Sequence, residues 1–550
     1  MKFLAIIFLI IIVLTSCSGG FDPPEGKSVF RYNEAAGITS LDPAFARDQA
    51  NMWACNLLFN GLVQLDDDLN VKPAIAESWS VEESGRIYVF KIRQDVFFHN
   101  WEGFGSPNGR RVTADDVVYS LKRVLNRETL SPGAVWLSEV LQSDSSGFAI
   151  RAVGTDTVVM VLQKPFSAFL SRLSMPYFSV VPHEAVDFYG ADFGRNPVGT
   201  GPFRFSMIKE GVKLVVLKNE NYFEFDGQNR LPYLDAVSVS FIIDKQTAFL
   251  EFIKGNLDFL SGIDPSYKDE LLQSDGSLNP KYNSQLYMLS KPYLNTEYLG
   301  FMMDSSLLKR DSPIRLLKIR QAINLGFDRV KMMRYLRNNV GYPGVAGFIP
   351  PGMPGFIADT VNGYGYNPQK AAQLLAEAGF PNGKDMPVIT ISTTASYIDL
   401  AKFMQQQLGK LGIPIEMDIH QPASLRQMVA NGRIPFFRGS WIADYADAEN
   451  YLALFYSKNW SPNGANYTHF NNPAFDALYE KAIVETNDSI RQSIYFKLDK
   501  MVTDQAPFVV LYYDEVLRFV QKDVKGLGIN SMNMLDLKRV QKLPESSVKH

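Results

Sequence analysis

The densest run of chemically capable side chains is Trp441-Ile442-Ala443-Asp444-Tyr445-Ala446-Asp447-Ala448-Glu449-Asn450, with Arg438 just upstream. Asp444, Asp447 and Glu449 could pose as the paired acid and base carboxylates of a glycosidase. Three acids in one loop also suit a polar surface or a helix cap, and neither Gly-x-Ser-x-Gly nor His-Glu-x-x-His occurs to support hydrolysis. His99, His183, His420, His469 and His550 show no close ligand spacing for a transition metal. Asp66-x-Asp68-x-Asn70 with Glu77 imitates a calcium loop, but Val71 stands where a glycine must turn and Pro73 lies inside. No enzyme, metal site or cofactor is expected. Asp444 is left with two readings: a carboxylate that holds a cationic group in a water-poor cleft, or a cap of its own loop.

The elements around this run place it. Asn367-Pro368 starts a helix that stops at Gly379, with Asn as N-cap, Pro in the first turn and Gly past the end. Strand-like residues 388–392, helical 398–411, strand-like 413–419, helical 423–431 and strand-like 434–439 follow. This β-α-β-α-β order predicts a parallel sheet, and such sheets bind ligands at the carboxyl ends of their strands. The third strand runs straight into Trp441 and Asp444. Alternation puts Phe436, Arg438 and Ser440 on one side of it and Phe437 and Gly439 on the other. Elsewhere, residues 28–32, 87–93, 155–163 and 234–243 read as strands, and Thr113-Ala114-Asp115-Asp116 as a capping box opening a helix to Asn126.

At the N-terminus, Lys2 and the unbroken apolar run Phe3 to Leu14 precede Thr15-Ser16-Cys17, the pattern of a secretory signal over residues 1–16. About 12 residues at ~1.5 Å each fall short of the ~20 needed to cross a bilayer. Leu14-Thr15-Ser16-Cys17 resembles a bacterial lipobox, so Cys17 is expected to be acylated, attaching the protein to a membrane outside the cytoplasm, in the periplasm or its equivalent. Residues 17–27, rich in Gly and Pro, read as a tether. Cleavage would remove Lys2 and no acid, making the mature chain slightly more negative than the −3 of the whole sequence, which excludes a nucleic-acid partner. With 46% hydrophobic and 21% charged residues the chain can bury two or three lobes. Cys55, the other of the two cysteines, reads as a buried small hydrophobe.

Eight segments in order resemble the peptide/nickel-type solute-binding family, family 5 of the extracytoplasmic binding proteins. They are Ser40-Leu41-Asp42-Pro43, Leu58 to Val63, Pro73 to Trp79, Val96-Phe97-Phe98-His99, Thr113 to Arg123, Val198 to Phe203, Arg320 to Ile323 with Asp328-Arg329, and Trp441 to Tyr445. The resemblance implies an α/β fold of the periplasmic-binding-protein type II, with two lobes, a two-stranded hinge and an inserted subdomain. Carried over, lobe one comprises residues 28–60, 186–292 and 510–550, the subdomain 61–185 and lobe two 293–509. The hinge crossings then fall near Pro292 to Glu297 and Val509 to Asp514.

The same resemblance implies a monomeric binding lipoprotein that captures short peptides and delivers them to an ABC permease. Asp444 occupies the position that pairs with a ligand's α-ammonium, and Arg438 matches a basic residue used toward its carboxylate, although it could instead partner a buried acid. Trp441 and Tyr445 belong to the same run, Trp441 as a flat apolar wall. Tyr512 and Tyr513 stand where relatives place a ligand-contacting tyrosine. Arg47-Asp48-Gln49 and the segment around Arg438 to Trp441 would supply edge strands that pair with an extended peptide. An oligosaccharide on Trp441, Trp460 and Tyr467, or a nickel chelate, is the alternative ligand. A sugar has no ammonium, so Asp444 favours a peptide.

Overall fold

The computed structural model describes residues 27–106, 109–145, 147–358 and 361–543; the signal, Cys17 and all of the tether but its last residue fall outside them. Among the described residues no helix is long and apolar enough to cross a membrane.

Two lobes share one eleven-stranded sheet. Its first half is built from strands Phe203–Lys209, Lys213–Lys218, Ala236–Ser240, Val29–Asn33 and Phe259–Ser261, with helix α1 (Gln49–Leu58) packed nearby. Short helix α2 (Phe169–Leu173) belongs to the inserted subdomain, which has its own four-stranded antiparallel sheet drawn from residues 76–161. The expected capping box is there: Thr113 and Asp116 cap the helix Ala114–Leu125 reciprocally, and the helix ends at Asn126.

Two long strands, β1 (Leu286–Phe301) and β2 (Phe508–Gln521), pass antiparallel through the middle of the sheet and belong to both lobes. Residues 286–292 pair with 515–521, and residues 296–300 pair with 508–513. Between Pro292 and Thr296 the register shifts. In that gap Leu294 is used in both directions: its N–H donates to the Ser531 carbonyl at 2.8 Å, and its own carbonyl accepts from the Ala443 N–H at 2.9 Å. The break thus lies within the expected crossing at Pro292 to Glu297.

The second half of the sheet carries the predicted unit. Helix Pro368–Glu377 is capped by the Asn367 side chain, and Gly379 follows with φ +95°, the left-handed conformation that glycine tolerates. Strand Ile389–Thr394 pairs in parallel with Ile415–His420 and, through Ser392, with strand Phe436–Ile442 at Phe437; helices Ile398–Gly409 and Pro422–Ala430 make the crossovers. The alternation in 436–442 holds. Phe436 stacks on Phe301 at 4.2 Å on one face, while Phe437 packs with Tyr298 on the other. Burying each such ring contributes roughly 1.5–3 kcal/mol.

One expectation fails here. Residues 47–49 form no edge strand: the Asp48 carboxylate accepts from the Asn51 N–H at 3.0 Å and caps α1, whose first residue is Gln49. A helix N-terminus needs its free N–H groups satisfied, and Asp with Asn three residues on does so. The other proposed edge is half right. Strand 436–442 lies between β1 and Ile389–Thr394, but beyond Phe437 its ladder partners are on the β1 side alone.

Several resembling segments prove to be ties that hold the lobes. Arg123 forms a two-point pair with buried Asp42, at 3.0 and 2.5 Å. His99 bonds through both ring nitrogens to the Gly199–Gly201 turn, and burial pushes its imidazole down to about 4, so the ring is neutral at pH 7. A Cβ on Gly199 would stand 2.0 Å from the Leu58 carbonyl oxygen, so no larger residue fits. Arg320 and Arg329 donate to main-chain carbonyls at the start of β2 and just before it.

Asp499 supports the hinge from beneath. Its buried carboxylate accepts from the Phe348 N–H at 2.7 Å, and the Phe348 carbonyl accepts from Thr296 of β1 at 2.9 Å. Burial pushes Asp499 up to about 7. The folded protein therefore keeps a proton over pH 4–7 that the unfolded chain has lost, so this stabilisation is full below pH 4 and drains away as pH rises to 7.

Two outcomes follow for stability. Arg123→Met, leaving Asp42 buried without its counter-charge, should lower the stability read by urea denaturation by about 3–5 kcal/mol. Asp499→Asn should flatten the fall in melting temperature between pH 4 and 7, measured as wild type minus variant; an unchanged slope would refute the assignment.

Candidate functional site

Strand 436–442 delivers the loop that carries Asp444, and Asn450 fixes its shape. The Asn450 side-chain oxygen accepts from the Trp441 indole N–H at 2.9 Å and the Asp444 N–H at 3.2 Å, while its amide N–H donates to the Asp444 carboxylate at 3.2 Å. Among the described residues no cation is ion-paired with Asp444. Burial raises the carboxyl above its ordinary range; the Asn450 bond and the field of Arg172 oppose this only in part. Its charge reaches the hydroxyls of Tyr177, Tyr451 and Tyr467. Tyr177 also feels Asp48 and Arg47, so the fields of the segment before α1 and of the Asp444 loop overlap at one tyrosine. Trp441 is partly buried against the lobe-two core, and Ile442 beside it is 49% exposed.

The other two acids of the loop are already committed. Asp447 accepts from the Tyr495 hydroxyl at 2.8 Å and the Glu449 N–H at 2.9 Å, with Arg491 at 3.6 Å. Glu449 accepts from the hydroxyls of Tyr445 and Tyr479. Both are buried, so neither presents an acid or base to a cleft. A Ser–His–Asp grouping, Ser461, His469 and Asp304, fails as a triad: His469 Nε2 lies 3.0 Å from the Ser461 carbonyl oxygen, which takes its proton and leaves no base for the hydroxyl. Asp116, His183 and Glu184 converge as metal ligands would, but the Arg110 guanidinium already bridges Asp116 and Glu184 at 2.7 Å each.

Four of the expected binding residues already have partners within the protein. Tyr445 is 1% exposed, with its hydroxyl between Arg172 and Glu449. Tyr512 and Tyr513 are buried on opposite faces of β2, the first bonded by Arg337 at 2.9 Å and the second donating to the Gly347 carbonyl at 2.5 Å. Arg438 pairs with buried Glu297 of β1, and its guanidinium lies 3.5 Å over the Tyr397 ring. The structural alternative for Arg438 is thus the one present. A cleft of about 890 Å³ lies between the end of α1, the hairpin around Asp67 and the C-terminal segment near Arg518, and Asp444 is not among the residues that line it.

Residues 70–463 match the model of the bacterial extracellular solute-binding proteins, family 5, middle region. The chain belongs to that family. It is 27% identical to heme-binding protein A of Haemophilus influenzae over 91% of this chain and 90% of that one, and 26% identical to the dipeptide-binding protein of Escherichia coli K12 over 86% and 87%. The Helicobacter pylori periplasmic binding protein DppA, solved in complex with the peptide STSA, superposes with a TM-score of 0.73 at 25% identity, covering 94% of this chain and 98% of that one. HbpA2 of Haemophilus parasuis superposes with a TM-score of 0.80 at 23% identity, covering 94% and 100%.

As a family 5 member the chain has two lobes of the type II arrangement, and its relatives are substrate-binding proteins rather than enzymes. Sequence reasoning missed Asn450, Glu297, Tyr177 and Arg172. Asn450 stands six residues after Asp444 in the same run, and Glu297 lies in a crossing already singled out, so both left a signal. Tyr177 and Arg172 come from a distant segment and left none.

Arg438→Met tests its structural role. Glu297 would remain buried without a partner, so the melting temperature should fall in the absence of any ligand, by the equivalent of about 3–5 kcal/mol. An unchanged melting temperature would return Arg438 to the ligand.

Proposed function

We propose that this protein captures short peptides between its lobes and delivers them to an ABC permease, with Asp444 taking the peptide's α-ammonium. The observation that carries this reading is a largely buried carboxylate, shaped by Asn450, with no ion-paired cation among the described residues. A bound ammonium would complete it in a water-poor site, where a charge-assisted hydrogen bond is strong. The Trp441 face forms a wall, and the strand edge beyond Phe437 offers main-chain groups to an extended ligand, which supports binding whatever the side chains. At the far wall a ligand carboxylate would compete with Glu297 for Arg438. The peptide complex of a relative at 25% identity supports the ligand class.

The lobes take the limits read from the sequence, 28–60, 186–292 and 510–550 for lobe one, 61–185 for the subdomain and 293–509 for lobe two. Cys17 carries the acyl anchor, and the protein works as a monomer outside the cytoplasm. Rotation about β1 and β2 buries the peptide, and the closed form engages the permease.

Isothermal titration with tetra-alanine checks the central claim. Asp444→Asn should weaken binding ~10²-fold or more, the cost of losing one partner of a buried pair. N-acetylated tetra-alanine should bind wild type as poorly, and unchanged affinity in either case would sink the ammonium role. Mass spectrometry of ligand co-purified with the native protein names the class independently; heme or an oligosaccharide there would replace peptide. Cys17→Ser should move the protein from the membrane fraction to the soluble one.

A further inference from the structure

Arg172 of α2 is buried, with a side chain 5% exposed, and its guanidinium is enclosed by three rings: Phe166 at 4.4 Å, Tyr445 at 4.9 Å and Trp136 at 5.3 Å. It donates to the Trp136 carbonyl at 3.0 Å and to the Tyr445 hydroxyl at 2.8 Å. Glu139 stands 3.5 Å away and Glu449 3.9 Å. Ser171, the preceding residue, donates to the Ala446 carbonyl at 3.4 Å. Two consecutive subdomain residues thus grip the two consecutive residues that follow Asp444.

Taking an arginine out of water costs several kcal/mol unless its surroundings repay it, and apolar side chains fill such space at less cost. What this one adds is a fixed tie to the neighbour of Asp444 and a positive field that reaches its carboxylate. Asp444 faces Arg172 and Glu449 as charged groups, and Tyr177, Tyr451 and Tyr467 as neutral ones. Among those neighbours Arg172 is the cation.

We propose that Arg172 is a positioning residue for ligand capture, through which the inserted subdomain holds the Asp444 loop in its binding geometry. This rests on the reading that Asp444 takes the ligand's ammonium. The subdomain then contributes to recognition without touching the ligand.

The test is isothermal titration of tetra-alanine between pH 5 and 8 against wild type, Arg172→Met, Arg172→Lys, Asp444→Asn and the double variant Arg172→Met/Asp444→Asn. Arg172→Met should weaken binding about tenfold, the loss expected for roughly 1.4 kcal/mol, and should raise the pH below which affinity falls. Arg172→Lys should recover part of both. N-acetylated tetra-alanine should be insensitive to Arg172, and Arg172→Met should add nothing once Asp444 is Asn. Equal losses for free and acetylated peptide with an unmoved pH profile, or full additivity in the double variant, would overturn the proposal and leave Arg172 as packing alone. Should Arg172→Met not fold, Tyr445→Phe keeps the ring and removes the hydrogen bond; it should weaken free tetra-alanine severalfold and spare the acetylated form, and equal affinity to wild type would overturn the proposal. If instead Asp444→Asn alone leaves affinity unchanged, it is the peptide reading that fails.

Discussion

The antiparallel pairing of β1 with β2 is the constraint on which the molecule depends. Each strand enters one lobe and leaves through the other, so a single ladder is the shared spine of two cores. The cost of such a spine is that polar groups near the crossing are buried. Glu297, Asn295 and Asp514 lie there, and the chain answers with Arg438 and Arg337, each stacked on a tyrosine ring. The pairs neutralise one another locally, and Arg438 and Tyr512, two of the residues expected to touch a ligand, take part in them.

Much of the fold was legible because it is local. The caps at Asn367 and Thr113, the alternation of 436–442 and the parallel unit of 389–442 depend on spacing that a few residues carry by themselves. Tyr512 and Tyr513 show where this ends. Adjacent residues of a strand point to opposite faces, and β2 is covered on both, so burial claims each of them. Asp48 was misread because an extended residue before a helix looks the same in sequence as the end of a strand; the distinguishing mark was Asp48 itself, an N-cap type, with the Asn51 side-chain amide donating to the same carboxylate.

The site itself was half legible. Asp444 emerged from strand order and resemblance, and among the described residues it has no ion-pair partner. Its environment did not emerge, since Tyr177 and Arg172 approach from residues more than 250 positions away and carry no pattern that links them to it. Resemblance also misleads in a particular way. Asp42 with Arg123, and His99 with Gly199, lie in segments that mark the family, yet what they do here is hold lobe and subdomain together.

Leu294 gives the register break a meaning beyond geometry. Its amide is bonded to Ser531 on the lobe-one side and its carbonyl to Ala443, next to Asp444. The Asp444 loop is therefore tied to the register break through one residue. Any turn of the spine at this break would have to carry the Ala443 contact, and with it the strand end that leads to Asp444.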